Sequence, residues 1–315
     1  MDKRVFDQKV IGQLEKLAEK YDAMGQDLSS YLEGLLHADY LTYWDYVHLD
    51  TLLSLQTPKT QFPDEKVFII YHQITELYFN LILHEQEQIL QSEDHSPEIF
   101  LKRITRINRY FDHLIDSFDV MIDGMDPEQF LRFRMSLLPS SGFQSGQYRR
   151  IEINSTDFTN LVPSYLKQEL TEDMPLSKIY DLLYWKRGAT ELATGKKTLT
   201  LRQFEVKYSE EFVRQAEAVK DTNFLQLCQR FYKEDTAIHA ALRGFDHRAN
   251  VLWPLAHYRS AVRYLQKDPQ EIKATGGTNW QKYLPPKNQG ISFYPELWSK
   301  EELEDWGRKT TSTIS

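Results

Sequence analysis

The sequence predicts an all-α fold, a multi-helix bundle, and three observations support that prediction. Apolar residues recur at intervals of three and four along most of the chain, which is the period of an amphipathic helix. A helix-capping residue followed by proline marks two helix starts. Alternating patterns typical of strands are scarce, and residues 196–208 (KKTLTLRQFEVKY) are the best strand candidate.

The first two long helices of the bundle are predicted over residues 62–90 and 96–118. The first carries apolar residues on nearly every face, as expected of a central, buried helix. The second has Ser96 as its N-cap and Pro97 at its first position. Its predicted core positions follow the helical period: Ile104, Ile107, Phe111, Leu114, Ile115 and Phe118.

Two further helix starts are marked by capping signals. Asp126 precedes Pro127, and Gln129 stands where a glutamine side chain completes a capping box. Ser299 and Glu302 predict a second capping box near the end of the chain.

The domain organisation follows from the distribution of proline and glycine. Residues 154–205 contain several of both and look like a smaller helical insert between two halves of one bundle. The chain has 315 residues, enough for a substantial core. We therefore expect a single all-α domain over residues 1–315 that includes this insert.

The composition excludes several classes of partner. Asp and Glu number 46 against 38 Lys and Arg, so the net charge is −8, which argues against nucleic acid or an anionic membrane. Cys228 is the only cysteine, so an internal disulfide is excluded. The first residues read as an amphipathic helix, and no apolar run reaches the length of a membrane span. We expect a soluble, cytoplasmic protein.

Common catalytic motifs are absent from the sequence. It contains no His-Glu-x-x-His zinc motif, no Glu-x-x-His pair of the di-iron bundles, no glycine-rich nucleotide loop and no Gly-x-Ser-x-Gly elbow. The remaining candidates are a few polar residues within aromatic helices.

Two histidines are candidates for a pocket. His72 follows Phe68 by four residues, so both rings share one helix face. His257 follows Trp253 by four and has small neighbours such as Ala256, which leave room for a flat ligand. A satisfied core histidine is the simpler interpretation of each; the alternatives are a hydrogen-bonding pocket wall at His72 and a haem ligand at His257.

Arg134 and the segment after it are candidates for binding anions. Arg134 follows Phe130 by four, and a guanidinium there can hold a carboxylate with two hydrogen bonds. Ser141 and Gln144 predict a capping box that starts the next helix, whose free N–H groups attract an anion. Gly142 lets a ligand approach the backbone. An ordinary loop is the alternative.

A second small-residue cluster, KATGGTNW at residues 273–280, follows the His257 helix. Thr275 and the two glycines after it form a loop that can bind a carboxylate or close over a ligand. Taken alone, this cluster is also consistent with an ordinary turn.

Three long segments, in order, resemble the tryptophan 2,3-dioxygenase family. They are YWDYVHLDTLLSLQ (43–56), VFIIYHQITELYFNLILHE (67–85) and FLRFRMSLLPSSGFQSGQYRRIE (130–152). The third matches the family's long Ser-Gly-Phe-Gln-Ser-x-Gln-Phe-Arg run. The resemblance covers residues 40–280 approximately and is weakest in the insert.

The resemblance implies an enzyme that contains haem b and assembles as a homotetramer. His257 matches the proximal iron ligand, and Ser141, next to Gly142, matches the serine near a haem propionate. Tyr43 and Tyr46 match residues that a neighbouring subunit contributes to the site. The implied reaction inserts both atoms of O2 across the indole C2–C3 bond of L-tryptophan and gives N-formyl-L-kynurenine, the first step of the kynurenine pathway.

The resemblance also assigns the substrate-binding residues. His72 matches the distal histidine that accepts a hydrogen bond from the indole N–H, and Phe68 and Phe130 match the walls around the indole ring. Arg134 matches the residue that pairs with the substrate carboxylate, and Thr275 matches the loop threonine that holds the carboxylate and ammonium.

This chain departs from the family pattern at the threonine loop, which reads ATGGTNW (274–280) in place of Gly-Thr-Gly-Gly-Ser-Ser-Gly. Pro254, one turn before His257, also removes a helical hydrogen bond and predicts a kink. Two alternatives therefore stay open. One is a related haem oxygenase that acts on a substituted tryptophan or another indole, and the other is a helical protein that binds haem or another ligand without turnover.

Overall fold

The structure, a computed structural model, describes residues 7–190, 195–265 and 285–308. The chain divides into two compact units, Met1–Gln56 and Thr57–Ser315. Within the described ranges no residue belongs to a β-strand, and Thr190 and Lys197 form only an isolated bridge. The predicted all-α fold is confirmed. None of the described helices combines the length and apolar character that a membrane span requires.

Residues 7–56 of the first unit form four helices, and none of the residues in these helices is buried. The helices are α1 (Gln8–Ala23), α2 (Leu28–Leu36), α3 (Tyr43–Tyr46) and α4 (Leu49–Ser54). Many large apolar side chains stay exposed, among them Leu36, Tyr40 and Leu53. Unit 1 therefore presents an apolar surface that its own helices do not cover.

The second unit holds the core of the protein. Its helices are α5 (Asp64–Leu90), α6 (Pro97–Ser117), α7 (Asp119–Ile122), α8 (Pro127–Phe133), α9 (Gly146–Ser155), α10 (Leu176–Leu182), α11 (Tyr184–Gly188), α12 (Leu199–Val219), α13 (Phe224–Phe231), α14 (Thr236–His247), α15 (Trp253–Leu265), α16 (Pro286–Gln289) and α17 (Lys300–Glu304). α5 packs against α6 and α9, and α6 packs against α14. These contacts make α5 and α6 the centre of the bundle.

Helix α6 buries the face that its sequence predicts. Ile104, Ile107, Phe111 and Leu114 have no exposed surface, and Phe118 just beyond the helix is also buried, whereas Ile115 is half-buried. The Phe111 ring lies 5.6 Å from that of Phe245 on α14. Complete burial of one such side chain stabilises the fold by about 2 kcal/mol, so this face holds α6 in the bundle.

The strand predicted at residues 196–208 is wrong, because α12 begins at Leu199. Thr198 caps this helix by accepting a hydrogen bond from the Leu201 N–H. The alternating start of the segment resembles a strand, but the buried Leu201, Phe204 and Phe212 recur at the helical period and face the core. Burial of that face decides in favour of the helix.

The capping predictions at Asp126 and at Ser299 with Glu302 are confirmed, except for the role of the Gln129 side chain. Ser96 is the N-cap of α6, but its side chain makes no capping hydrogen bond. The Asp126 carboxylate accepts from the Gln129 N–H at 2.9 Å, and Ser299 with Glu302 forms the complete box. The Gln129 side chain does not return to Asp126; it accepts from the Asp64 N–H at 3.3 Å. The Asp126 N–H instead donates to the Asp64 carboxylate at 2.6 Å. The start of α8 is thus tied to the start of α5.

The predicted insert, residues 154–205, covers the stretch between α9 and α12 together with the end of α9 and the start of α12. The described residues between the two helices form short segments, including 3-10 helices at Phe158–Leu161 and Ser164–Glu169 besides α10 and α11. A single domain with an insert stays a prediction.

Candidate active site

His72 lies on α5 with a defined tautomer. Its Nδ1 donates to the Phe68 carbonyl at 2.8 Å, because a carbonyl oxygen can only accept. The two rings lie 4.1 Å apart. Burial lowers the pKa of His72, against smaller opposing effects of the Phe68 carbonyl and the Glu76 carboxylate. The imidazole is therefore neutral at physiological pH, with a lone pair on Nε2 that can accept a hydrogen bond.

His257 on α15 has the same arrangement. Its Nδ1 donates to the Trp253 carbonyl at 3.1 Å. Burial, with a smaller contribution from the nearby His72, lowers the pKa of His257 to about 4, although the hydrogen bond to the Trp253 carbonyl opposes this shift. A neutral imidazole whose Nδ1–H is held by a backbone carbonyl presents its Nε2 lone pair as a metal ligand.

Aromatic rings connect the two histidines. The Phe118 ring lies 4.5 Å from His257 and 5.5 Å from Tyr71, which neighbours His72 on α5. Trp253 meets the His257 ring edge-on at 4.4 Å. The structure therefore brings both histidines, predicted from distant segments, to one apolar region of the second unit.

A π-helical turn at Arg248–Leu252 leads into the His257 helix. Pro254 lacks the N–H that an α-helix would present to the Asn250 carbonyl, and the π-helical turn ends just before it. The predicted kink stays a prediction. The buried Asp246 carboxylate secures the turn by accepting from the Asn250 side chain at 2.8 Å. Asp246 also accepts from the N–H groups of Phe293 and Tyr294.

Phe130 and Arg134 lie at the end of α8. The buried Phe130 ring is 6.3 Å from Phe68 and 4.7 Å from Tyr264, whose hydroxyl donates to the Ile122 and Met125 carbonyls. Arg134 begins a 3-10 turn and is 6% exposed. Burial lowers the pKa of Arg134, but a guanidinium stays charged. A cation at this depth is suited to bidentate contact with a carboxylate.

The segment with Ser141 forms the predicted capping box, but not at the start of the long helix. Ser141 and Gln144 cap a three-residue 3-10 turn, Gly142–Gln144, and α9 begins at Gly146 with Ser145 as its own cap. The turn is fixed to α12, because the Gln144 amide donates to the Thr200 carbonyl at 3.3 Å. Nothing lies within 4 Å of a Cβ placed on Gly142, so its backbone is open to approach.

The structure does not bring Thr275, Tyr43 or Tyr46 to the region of the two histidines. Thr275 and its loop lie outside the described residues. Tyr43 and Tyr46 lie on α3 of the first unit and are 70% and 74% exposed. Their predicted contribution to a neighbouring subunit's site stays a prediction.

Sequence reasoning missed several residues that lie around the two histidines and Phe130. Phe118 was predicted only as a core position, and Tyr264 and Glu76 were not singled out. Gln147, in the first turn of α9, binds Glu76 on α5. Its position in the Ser-Gly-Phe-Gln-Ser-x-Gln run was the one available signal.

The donor set fits an iron porphyrin. One neutral imidazole can bind iron, a second lies in the same region, and the rings next to them are aromatic and suited to packing against a flat macrocycle. The open backbone at Gly142 and the nearby Ser141 are suited to a propionate.

Comparison with known proteins agrees with this chemistry. The family model for tryptophan 2,3-dioxygenase matches residues 34–280. A protein of that name from Exiguobacterium sibiricum is 28% identical over 287 residues, which are 88% of this chain and 98% of the relative. One from Geobacillus thermodenitrificans is 28% identical over 289 residues, 85% of this chain and 95% of the relative. One from a Ruegeria species is 44% identical over 117 residues, but this match covers 36% of this chain and only 41% of that relative.

Proposed function

The chain belongs to the tryptophan 2,3-dioxygenase family of enzymes, and on that premise we propose that it converts L-tryptophan and O2 into N-formyl-L-kynurenine. Both oxygen atoms enter the product as the indole C2–C3 bond is cleaved. This reaction begins the kynurenine pathway of tryptophan degradation. The proposal rests mainly on His72 and His257, which lie in one aromatic region. Each imidazole is neutral and has an Nε2 lone pair that can accept a hydrogen bond or bind a metal.

The family depends on haem, and we infer haem b with His257 as its iron ligand. When bound, haem supplies the activation of O2. The Trp253 carbonyl holds the His257 Nδ1–H, which fixes the tautomer and increases the basicity of Nε2. Ser141 and the open backbone at Gly142 are the proposed contacts of a haem propionate.

The substrate L-tryptophan would lie between Phe68 and Phe130, with its indole N–H donating to Nε2 of His72. Its carboxylate would pair with Arg134, because a buried carboxylate needs a partner to offset its lost hydration. Thr275 is the proposed further contact of the carboxylate and ammonium groups. A pocket that binds the indole N–H discriminates against analogues that lack it.

A homotetramer in which a neighbouring subunit contributes Tyr43 and Tyr46 is the proposed assembly. The lack of buried residues in α1–α4 supports it, because these helices carry apolar side chains that another surface must cover. Nucleic acid and membrane are not proposed as partners, and a cytoplasmic location stays a prediction.

The experiment is turnover of the haem-reconstituted protein. The ferrous protein is mixed with L-tryptophan and air, and N-formyl-L-kynurenine is followed by absorbance and mass spectrometry. Incorporation of two oxygen atoms from 18O2 is the expected result. A haem absorption band without product would overturn the assignment of L-tryptophan, and substituted tryptophans and other indoles would then be screened.

A further inference from the structure

Glu76 lies one turn after His72 on α5 and is held there by α9. Residues four apart share one face of a helix, so the carboxylate is a neighbour of the imidazole. The Gln147 amide donates to the Glu76 carboxylate at 2.8 Å and to the Glu76 carbonyl at 2.9 Å. Both contacts reach across from the first turn of α9, 71 residues further along the chain.

The oxygen of the Gln147 side-chain amide is also held by a hydrogen bond. This Oε1 accepts from the Asn80 amide, one turn further along α5, at 3.2 Å. The amide thus bridges two residues one turn apart on α5 and holds the Glu76 carboxylate in one place. The hydrogen bond from Gln147 to the Glu76 carbonyl would be enough to join α5 and α9. The second hydrogen bond, to the Glu76 carboxylate, therefore requires its own explanation.

The environment of His72 gives that explanation. Its Nδ1–H is committed to the Phe68 carbonyl, and Nε2 carries the lone pair. The ionisable groups that face it in the described residues are Glu76 on its own helix and His257 on α15. Since His257 is neutral, Glu76 is the one charge in this set. A fixed negative charge beside an imidazole increases the electron density that Nε2 offers to a donor.

We propose that Glu76, fixed by Gln147, is a positioning residue whose carboxylate strengthens the hydrogen bond that His72 accepts from the substrate's indole N–H. The inference rests on the proposed function for the identity of the donor. It assigns Glu76 and Gln147 to substrate discrimination rather than only to the packing of α5 on α9.

The first test compares ligands with and without the N–H in the oxygen-free holoenzyme. Dissociation constants are measured for L-tryptophan and for its benzothiophene analogue, in which sulfur replaces N–H. Glu76→Gln keeps an acceptor for Gln147 but removes the charge. We expect it to weaken L-tryptophan binding about fivefold and to leave the analogue nearly unchanged. Equal weakening of both ligands would indicate a structural role and overturn the proposal.

Two matched variants sharpen this test. Glu87→Gln makes the same change at an exposed position of α5, roughly 16 Å further along the helix, and we expect it to alter neither constant. Gln147→Leu leaves the charge but frees the carboxylate, so it should weaken L-tryptophan binding less than Glu76→Gln and in the same selective manner. If Gln147→Leu weakened the binding of L-tryptophan and of the benzothiophene analogue equally, the result would contradict the proposal. Thermal unfolding of each variant confirms that it is folded.

The second test does not depend on the substrate. The pKa of His72 is measured by 1H–15N NMR in the haem-free full-length chain, with His72→Gln to assign the signal. Loss of the Glu76 charge should lower this pKa, and Glu87→Gln should not change it. An unchanged pKa in Glu76→Gln would overturn the coupling even if the wild type turns over L-tryptophan. A lowered pKa in a protein without turnover would retain the coupling and refute only the proposed substrate.

Discussion

Phe118 places its ring 4.5 Å from the imidazole of His257, at an interplanar angle of 55°. The ring comes from the end of α6 and also contacts Trp253 and Tyr71. It therefore links the helix of the proposed iron ligand to the helix of the proposed distal residue. The Trp253 carbonyl fixes one nitrogen of His257, and the rings of Phe118 and Trp253 restrict rotation of the imidazole plane.

This contact predicts that Phe118→Leu weakens haem binding more than it lowers the free energy of unfolding. Leucine keeps most of the volume, so the free energy of unfolding should fall by about 1 kcal/mol. The flat face against His257 is lost, and haem should transfer several times faster to an acceptor protein. Phe231→Leu, at a position 40% exposed, is the control. Equal transfer rates in the two variants would refute the role of Phe118.

His257→Ala should abolish iron ligation by the protein. The variant removes the only side chain proposed to bind iron, so its haem spectrum should lose the features of a histidine complex and titration should show weak, nonspecific haem uptake. Added imidazole should restore part of the spectrum by occupying the space left. His84→Ala, at an exposed position of α5, serves as the control. A native haem spectrum in His257→Ala would assign the ligand elsewhere.

Arg134→Ala should raise KM for L-tryptophan roughly 30-fold, which corresponds to ~2 kcal/mol for a lost charged hydrogen-bond pair. Tryptamine lacks the carboxylate, so its weaker turnover should not change further. The neighbouring Arg132 is exposed and lies over the Phe62 ring at 4.8 Å, which makes Arg132→Ala a matched loss of charge. A similar KM for L-tryptophan in both variants would count against the carboxylate role of Arg134.

The sequence predicted what depends on local periodicity and failed where long-range contacts decide. The buried face of α6 and the cap at Asp126 were predictable, because a helix start and an apolar stripe depend on residues a few positions apart. The strand at residues 196–208 was wrong, because its first residues alternate while the decisive burial of Phe212 comes later.

The candidate site was predictable as a set of residues but not as an arrangement. His72 and His257 were identified separately, whereas their shared region depends on how α5, α6 and α15 pack. The Gln147–Glu76 bond joins residues 71 positions apart, and no local signal predicts it. The segment at Ser141 is a second example. It forms a short 3-10 turn where a helix start was expected, and the Gln144 amide of this turn donates to the Thr200 carbonyl on α12.

Cys228 should be unreactive in the native protein. It is buried on α13, and burial raises the pKa of its thiol from 9.0 to about 11, with smaller contributions from Glu296 and Asp235. Alkylation by iodoacetamide at pH 8 should therefore be slow until urea unfolds the chain, because the thiolate is the reactive form. Rapid alkylation of the native protein would contradict this burial.

The same pKa predicts a loss of stability in alkali. The folded-state pKa exceeds that of the unfolded thiol, so the contribution is complete below pH 9 and is lost as the pH rises towards 11. By pH 10 the loss should reach about 1.4 kcal/mol. The measurement is urea unfolding at pH 8, 9 and 10. Cys228→Ala should show a smaller pH dependence, and an identical dependence would refute the prediction.

Glu152 should be more sensitive to substitution than any surface acid, because it is fully buried with Arg149 on α9. Their charged groups lie 2.8 Å apart, and Tyr184 donates to the same carboxylate. The Arg149 guanidinium also lies 4.8 Å from the Trp185 ring. Glu152→Gln would leave this buried cation without its counter-charge, so the free energy of unfolding should fall by about 3–5 kcal/mol.

A double substitution distinguishes two contributions to the free energy of unfolding: the cost of leaving one buried charge unpaired, and the net stabilisation by the Arg149–Glu152 ion pair. Arg149→Met with Glu152→Leu removes both charges and keeps the volume, so it should be less destabilised than Glu152→Gln alone. Glu217→Gln, in the exposed pair with Lys220, should change stability by less than about 0.5 kcal/mol. Urea unfolding of all three variants gives the comparison. If the double variant proved the least stable, the pair itself would hold α9, and with it the Ser141 turn, against the core.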